Sequence, residues 1–249
     1  MRLFLILLLF LNLLNADETQ QKVTIGFGPY IQSQPYRDVS DIIIPSPVIF
    51  FDNGIFYVRW SRAGVYFLGE KTDEYAWGFS ITGQPRPNYY KPTDSTTLTG
   101  LSEKKSSLEA GLAFSAKMGD SYIESMLLTD VLGRYESWIF KTEIGHDFVV
   151  GDFAFYPSLI LIYQSSEFIN YYYGISQEDS LTSSYDTYSA NAGFQLGFQT
   201  YIEYPFTDKL SALINLRYDK LSSEATASPI VEDNYIYSGL VSLIYTFEY

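Results

Sequence analysis

The residues able to do chemistry are few. The chain has one histidine, His146, and no cysteine. A single imidazole rules out a paired-histidine metal site, and the lack of thiols rules out disulfides, thiolate nucleophiles and cysteine metal ligands. Barrel hydrolases that act on lipid pair a histidine with a serine near the outer mouth. By the topology derived below, His146 falls at the opposite end of its strand, in alternation with Phe140 and Ile144. It therefore reads as an interfacial polar residue and not as a general base. Carboxylates adjoin at Asp73/Glu74, Glu178/Asp179 and Glu232/Asp233. Paired-carboxylate catalysis needs two groups sharing one site, whereas neighbours on an extended chain point opposite ways. These pairs read as solvated loop charge or loose divalent-cation contacts. Gly26-Phe27-Gly28 has no helix after it, so it is not a dinucleotide loop. Its glycines suit a strand that packs or bends close to its neighbour. No catalytic residue, cofactor site or metal ligand is assigned, and the expectation is a non-enzymatic protein with no cofactor.

Two further groups stand out by type. Tyr171-Tyr172-Tyr173-Gly174 is an aromatic patch after a strand. It suits a girdle or a loop anchor folded over a mouth; its functional reading is a stacking surface for sugar or another protein. Ser228-Pro229-Ile230 reads as a turn that fixes loop shape.

The element that positions the rest is the last stretch, Asp233–Tyr249. From Tyr235 every second residue is apolar or small, ending in Tyr245, Phe247 and Tyr249. A period of two is a strand with one face toward an oily phase. A closing strand that stops on an aromatic resembles the assembly signal of bacterial outer-membrane barrels, so Tyr245, Phe247 and Tyr249 are expected to be read by the barrel-assembly machinery. At the other end, Leu3–Leu14 is almost wholly apolar behind Arg2, with Ala16 at a plausible cleavage point. Twelve such positions suit a signal-peptide core and are too few to span a bilayer. Residues 1–16 are expected to be removed, leaving 17–249 as one domain. The mature chain then has 15 basic and 29 acidic residues, a formal charge of −14 (15 − 29). Nucleic acid is excluded as a partner, because its phosphates need a basic footprint. No run of eighteen apolar residues follows the signal, yet aromatics make up 18% of the chain. That combination fits a transmembrane β-barrel with two aromatic girdles.

Alternating segments follow in order. Lys22–Tyr30 is the first strand. Ile42–Phe51 is the second, its pairing confined by Pro45 and Pro47 to its later half. Asp52-Asn53-Gly54 is a hairpin turn. Ile55–Trp60, Gly64–Gly69 and Tyr75–Gly83 follow, then the polar loop Gln84–Lys105. Further strands are expected over Ser107–Met118, Tyr122–Val131, Arg134–Asp147 and Phe153–Gln164. After a second long loop comes Thr187–Tyr204, the longest clean alternation, expected to project beyond the membrane on the loop side. Leu210–Tyr218, a third long loop and the terminal strand complete the chain. With Tyr249 at the periplasm, long connections fall outside and short ones inside, as bacterial barrels require. Even parity holds only if Ile55–Trp60 and Gly64–Gly69 are separate, giving about twelve strands. Hydrocarbon offers the backbone no partner, so the sheet must close on itself. The inward set includes Glu109, Lys117, Lys141, Glu143, Glu203, Arg217 and Glu248. Both signs occur, so internal ion pairs are expected to plug the lumen, and no one-sign selectivity ring is visible.

Three stretches resemble the MipA/OmpV family of outer-membrane proteins. They are GFGPYIQSQPYRDVSDIIIPSPVIFF (Gly26–Phe51), YYYGISQEDSLTSSYDTYSANAGF (Tyr171–Phe194) and SPIVEDNYIYSGLVSLIYTF (Ser228–Phe247). In the second, Ile175 replaces the family's usual valine. Residues 55–165 match mainly by pattern. The resemblance implies an outer-membrane β-barrel in a Gram-negative cell. It marks Tyr172, Tyr173, Gly174, Ser228, Pro229 and Ile230 as family-motif loop residues without a defined role. The family takes its name from a member that binds a lytic murein transglycosylase and a murein synthase. The resemblance therefore implies a scaffold in peptidoglycan biosynthesis, surrounded by outer-membrane lipid. A narrow channel for small solutes and a surface adhesin with acidic, Tyr-rich loops are the other readings.

Overall fold

The computed structural model describes residues 22–248. The expected signal peptide and Tyr249 lie outside the described residues.

Among the described residues, thirteen strand segments form a single antiparallel sheet. They are β1 (Lys22–Gln32), β2 (Ile42–Asp52), β3 (Phe56–Arg59), β4 (Arg62–Lys71), β5 (Tyr75–Arg86), β6 (Ser107–Met118) and β7 (Ser121–Asp130), followed by β8 (Trp138–His146), β9 (Phe148–Val150), β10 (Phe153–Gln164), β11 (Gly193–Pro205), β12 (Leu210–Lys220) and β13 (Tyr235–Glu248). β8 and β9 both pair with β10 and run on across Asp147 as one stave. The barrel thus has twelve staves, and β3 and β4 are separate, as parity requires. Closure is direct: Lys22 is opposite Glu248 and Gln32 opposite Ser238. The first and last strands leave no free edge at the seam.

The outward parity is predominantly apolar, as hydrocarbon demands, with β7 the most polar stave through Ser121, Ser125 and Thr129. On β13, Tyr237, Val241, Leu243, Tyr245 and Phe247 are exposed, while Ile236, Leu240, Ser242 and Ile244 are buried inward. β1 bends against β13 at Gly28, where an added Cβ would lie 1.7 Å from the carbonyl oxygen of Val241. Pairing between the two strands lapses there and resumes at Tyr30.

Two expectations are corrected. β2 pairs with β1 along its whole length, with Pro29 opposite Pro45 and Phe27 opposite Pro47. The prolines confine pairing only on the β3 side, where β2 pairs through Phe50–Asp52, because their missing N–H groups point that way. The strand expected from Thr187 begins only at Gly193. Residues 187–192 leave the sheet because other partners hold them. Tyr188 exchanges backbone bonds with Ile175, and the Asn170 side chain accepts from Ala190 N–H and donates to its carbonyl, both at 2.8 Å.

Candidate functional site: a sealed outer mouth and a braced bore

The four long outer connections, residues 33–41, 87–106, 165–192 and 221–234, fold into one cap. Three short helices order them: α1 (Ser166–Tyr173), α2 (Gln177–Thr182) and α3 (Ser223–Thr226). Each starts on a serine whose hydroxyl accepts from an amide of the first turn: Ser165, Ser176 and Ser222. α1 buries Phe168, Ile169, Tyr172 and Tyr173 on the face turned to the barrel. These join Tyr36, Tyr90, Leu98, Tyr135 and Ile230 in one apolar cluster. Rings of Tyr36 and Tyr90 meet edge to face at 4.7 Å. Burial pushes the Tyr36 phenol well above its ordinary pKa, with the neighbouring tyrosines adding to the rise.

The family-motif residues converge here. Tyr172 and Tyr173 are fully buried, so neither ring offers a face to a sugar. Ser228 donates its hydroxyl to the Tyr173 carbonyl at 2.6 Å, and Tyr36 donates to the Tyr172 carbonyl at 3.2 Å. Gly174 ends α1 where a Cβ would sit 2.4 Å from the Asn170 carbonyl oxygen. Ile230 is buried and Pro229 exposed. Residues from all three resemblance stretches therefore meet in one core.

Asp179 departs from its reading as solvated charge. It is 2% exposed. Its Oδ1 accepts from the Ser102 amide (2.7 Å) and hydroxyl (2.6 Å), and its Oδ2 from the Ser176 hydroxyl (2.9 Å). Burial raises the carboxyl's pKa, but these donors outweigh it and hold the group below the usual carboxylate range. Asp179 thus latches residues 87–106 to residues 165–192. Glu178 and the other two acidic pairs, Asp73/Glu74 and Glu232/Asp233, are exposed.

Beneath the cap, Glu109 is wholly buried and receives Arg86 in a two-pronged pair at 2.8 and 2.9 Å, with Gln84 and Tyr135 also donating. Lower in the bore, Glu124 meets Arg59 and Arg62 and Lys141 meets Glu143 at 3.0 Å, while at the outer end of β12 Arg217 forks onto Asp219. A chain Gln164–Gln195–Asp219 ties β10 and β11 to that pair on β12. The opposite arc is apolar: Val48, Leu213, Leu240 and Ile244 pack with Tyr30, Phe50, Trp60 and Tyr201. Internal ion pairs thus brace the bore, as the inward residues suggested. Lys117 is drawn instead to Asp147 (2.7 Å) at the inner rim, and Glu248 to Lys22 (2.6 Å) at the seam.

His146 is exposed at the inner rim, with Nδ1 2.9 Å from the Ser121 hydroxyl of the facing strand. A catalytic imidazole needs its other nitrogen oriented, typically by a carboxylate. Among the described residues no hydrogen bond to His146 Nε2 is present. Nor is there a cluster of three or more His, Asp or Glu able to hold a metal ion.

The family model for the MltA-interacting protein MipA matches residues 25–247. The chain belongs to the MipA family. The MltA-interacting protein of Escherichia coli K12 is 27% identical to it, over 92% of this chain and 90% of that one. The outer membrane protein OmpV of Vibrio cholerae is 24% identical, over 67% of this chain and 63% of that one. The solved translocator domain of the Neisseria meningitidis autotransporter NalP aligns over 95% of this chain and 91% of its own, at 11% identity and a TM-score of 0.41. This MipA-family chain is a closed outer-membrane barrel, in the place and architecture that its terminal strand and aromatic excess indicated. Of the cap only the aromatic anchor at Tyr171-Tyr172-Tyr173-Gly174 was legible beforehand; the joining of the four connections and the Asp179 latch were not. The capping-box spacing Ser176-x-x-Asp179 was the one available signal for the latch.

Proposed function

We propose that this barrel is a non-enzymatic scaffold that holds murein hydrolase and synthase at the inner face of the outer membrane. The observation that carries the reading is an asymmetry of access. The outer mouth is closed by a packed cap and the bore is crossed by ion pairs. On the inner side one arm of each of two hairpins, β4 beyond Tyr66 and β9, runs past its neighbour β3 or β7. From Phe67 to Tyr75, and again from Phe148 to Phe153, successive residues are all exposed. A strand within the wall would bury every second one. The β9–β10 tip carries Val149 and Val150, and the β4 arm of the other hairpin carries Phe67 and Leu68 behind a polar tip of Thr72, Asp73 and Glu74. We read these exposed apolar side chains at the inner rim as the docking surface. The family supplies the partner class, since one relative is named for its interaction with MltA.

The test is affinity capture of the full barrel in mild detergent from cross-linked envelopes. Enrichment of a lytic transglycosylase and a murein synthase over a mock capture with an unrelated barrel is expected. Capture of neither would overturn the reading. Planar-bilayer recording separates it from a narrow channel: the braced bore is expected to give no conductance steps.

A further inference from the structure

The barrel wall is incomplete in its outer half, between β2 and β5. The β3–β4 hairpin turns back early, at Trp60–Ser61, and β3 pairs with β2 only through Phe50–Asp52. The Trp60 amide closes this ladder on the Ile49 carbonyl at 2.8 Å. Beyond that bond, Ile42–Val48 pairs with β1 on one side and with no strand on the other. Across the opening, β5 is paired to β4 only as far as Gly83, so Gln84–Arg86 has β6 alone. Residues 33–41 and 87–106 form the lintel, joined where Thr97 donates its hydroxyl to the Arg37 carbonyl at 2.8 Å.

The backbone shows which groups face this window. In an antiparallel sheet each residue turns its N–H and C=O to one neighbour, and the next residue turns them to the other. The Ile49 carbonyl points to the hairpin, so Ile43, Pro45 and Pro47 face the same way. On the far side, the Val131 amide donates to the Leu108 carbonyl, which sets Leu108 toward β7. Its partner Pro85 therefore faces away from β6, into the window. Three prolines stand where an amide would meet hydrocarbon unpaired. Proline has no N–H, and an unsatisfied donor in lipid is costly. The same rings prevent a strand from another chain adding to this edge, because the ladder would lack its donors.

The bore behind the window is apolar and reachable. Ile44 shares the inward parity of Ile42, Ser46 and Val48, yet it is 44% exposed while those are 6%, 9% and 0%. Trp60 forms the sill. Its ring lies inside the wall, 5.5 Å from Tyr30 and 6.5 Å from Tyr201, and its indole N–H is taken up by the Ser46 hydroxyl at 3.0 Å. The outward neighbours Ile43 and Ile49 place the opening within the lipid-facing band.

We propose that this window is a binding site for the acyl chain of an outer-leaflet lipid, which enters between β2 and β5 and lies on Ile44 and Trp60. The site is independent of the inner-rim scaffold. The chain has three tryptophans, so Trp77→Phe with Trp138→Phe leaves Trp60 alone. Trp60→Phe with Trp77→Phe leaves the outward-facing Trp138. Each variant of the full chain is placed in phosphatidylcholine vesicles with and without bromine on the acyl chains. A bromine-dependent loss of Trp60 emission comparable to that of Trp138 is expected. Trp60 emission indifferent to bromine while Trp138 is quenched would overturn the proposal. Ile44→Cys, the only thiol then present, carries a spin label as a second measurement. Greater relaxation by oxygen than by a water-soluble nickel chelate is expected. The reverse order would mean a water-filled window and would equally overturn it.

Discussion

The two ends of this barrel solve opposite problems with the same materials. The outer end has long connections, rich in serine and acidic residues, that still bury a core of Tyr36, Tyr90, Phe168, Tyr172 and Tyr173. The inner end has short turns that leave Phe148, Val149 and Val150 uncovered. Polar composition therefore does not decide exposure; the length of chain available to fold back does. Each outer connection supplies a few apolar side chains at a distance from its ends, and four of them together enclose what none could enclose alone. A two-residue inner turn has no chain to fold back, so its side chains stay where the hairpin leaves them.

The sharpest break in that contrast comes from unpairing charge under the cap. Arg86→Met leaves Glu109 fully buried without its two-pronged partner. Removing one member of a buried pair costs about 3–5 kcal/mol. The expected result is a drop in the temperature at which the barrel loses its heat-modifiable gel mobility, larger than for Lys22→Met at the exposed seam pair. Equal shifts would mean that Glu109 is relieved by water. Tyr172→Ala should act nearly as strongly, about 3–5 kcal/mol for a large ring removed from a core, but on the cap more than on the barrel. Limited proteolysis should cut within 165–192 while the stave fragments remain folded.

The staves were readable because lipid imposes a period of two on each of them, and parity alone separated β3 from β4. Beyond the aromatic anchor at Tyr171–Gly174 the cap was not readable, for a physical reason. Its contacts join residues far apart in sequence, such as Ser228 with Tyr173 and Tyr36 with Tyr172, and no local period records them. Residues 187–192 show how such contacts override a local signal. Their alternation is as clean as that of the strand that follows, but Asn170 and Ile175 hold their backbone in the cap. The prolines show the converse. Pro45 and Pro47 were legible as limits on pairing, yet which edge they limit depends on the register of β1, which sequence does not state.

The Asp179 latch gives a smaller and pH-dependent effect. Its folded-state pKa is lowered, so its contribution is present above the unfolded aspartate value of about 3.9 and is lost as pH falls through the folded value. The cap should hold near neutrality and loosen only in strong acid. Asp179→Asn should loosen it at every pH, by about 1–3 kcal/mol for the donors left unsatisfied, and should abolish the acid step. Hydrogen exchange across 100–105 and 176–183 measures both. An acid step that persists in Asp179→Asn would place the sensitivity elsewhere.

The inner rim should answer in the opposite sense, with little change in stability and a large change in binding. Val149→Asp with Val150→Asp alters two exposed side chains beyond the wall, where substitutions shift stability by only about 0.5 kcal/mol. Gel mobility and melting should match the parent. Capture of the murein enzymes should fall sharply, because two carboxylates at the tip must be desolvated before an apolar contact can form. If capture survives there but fails with Phe67→Asp and Leu68→Asp, docking belongs to the β4–β5 hairpin. Survival in both variants would remove these exposed side chains from the interaction and leave the asymmetry between the two ends without the role proposed for it.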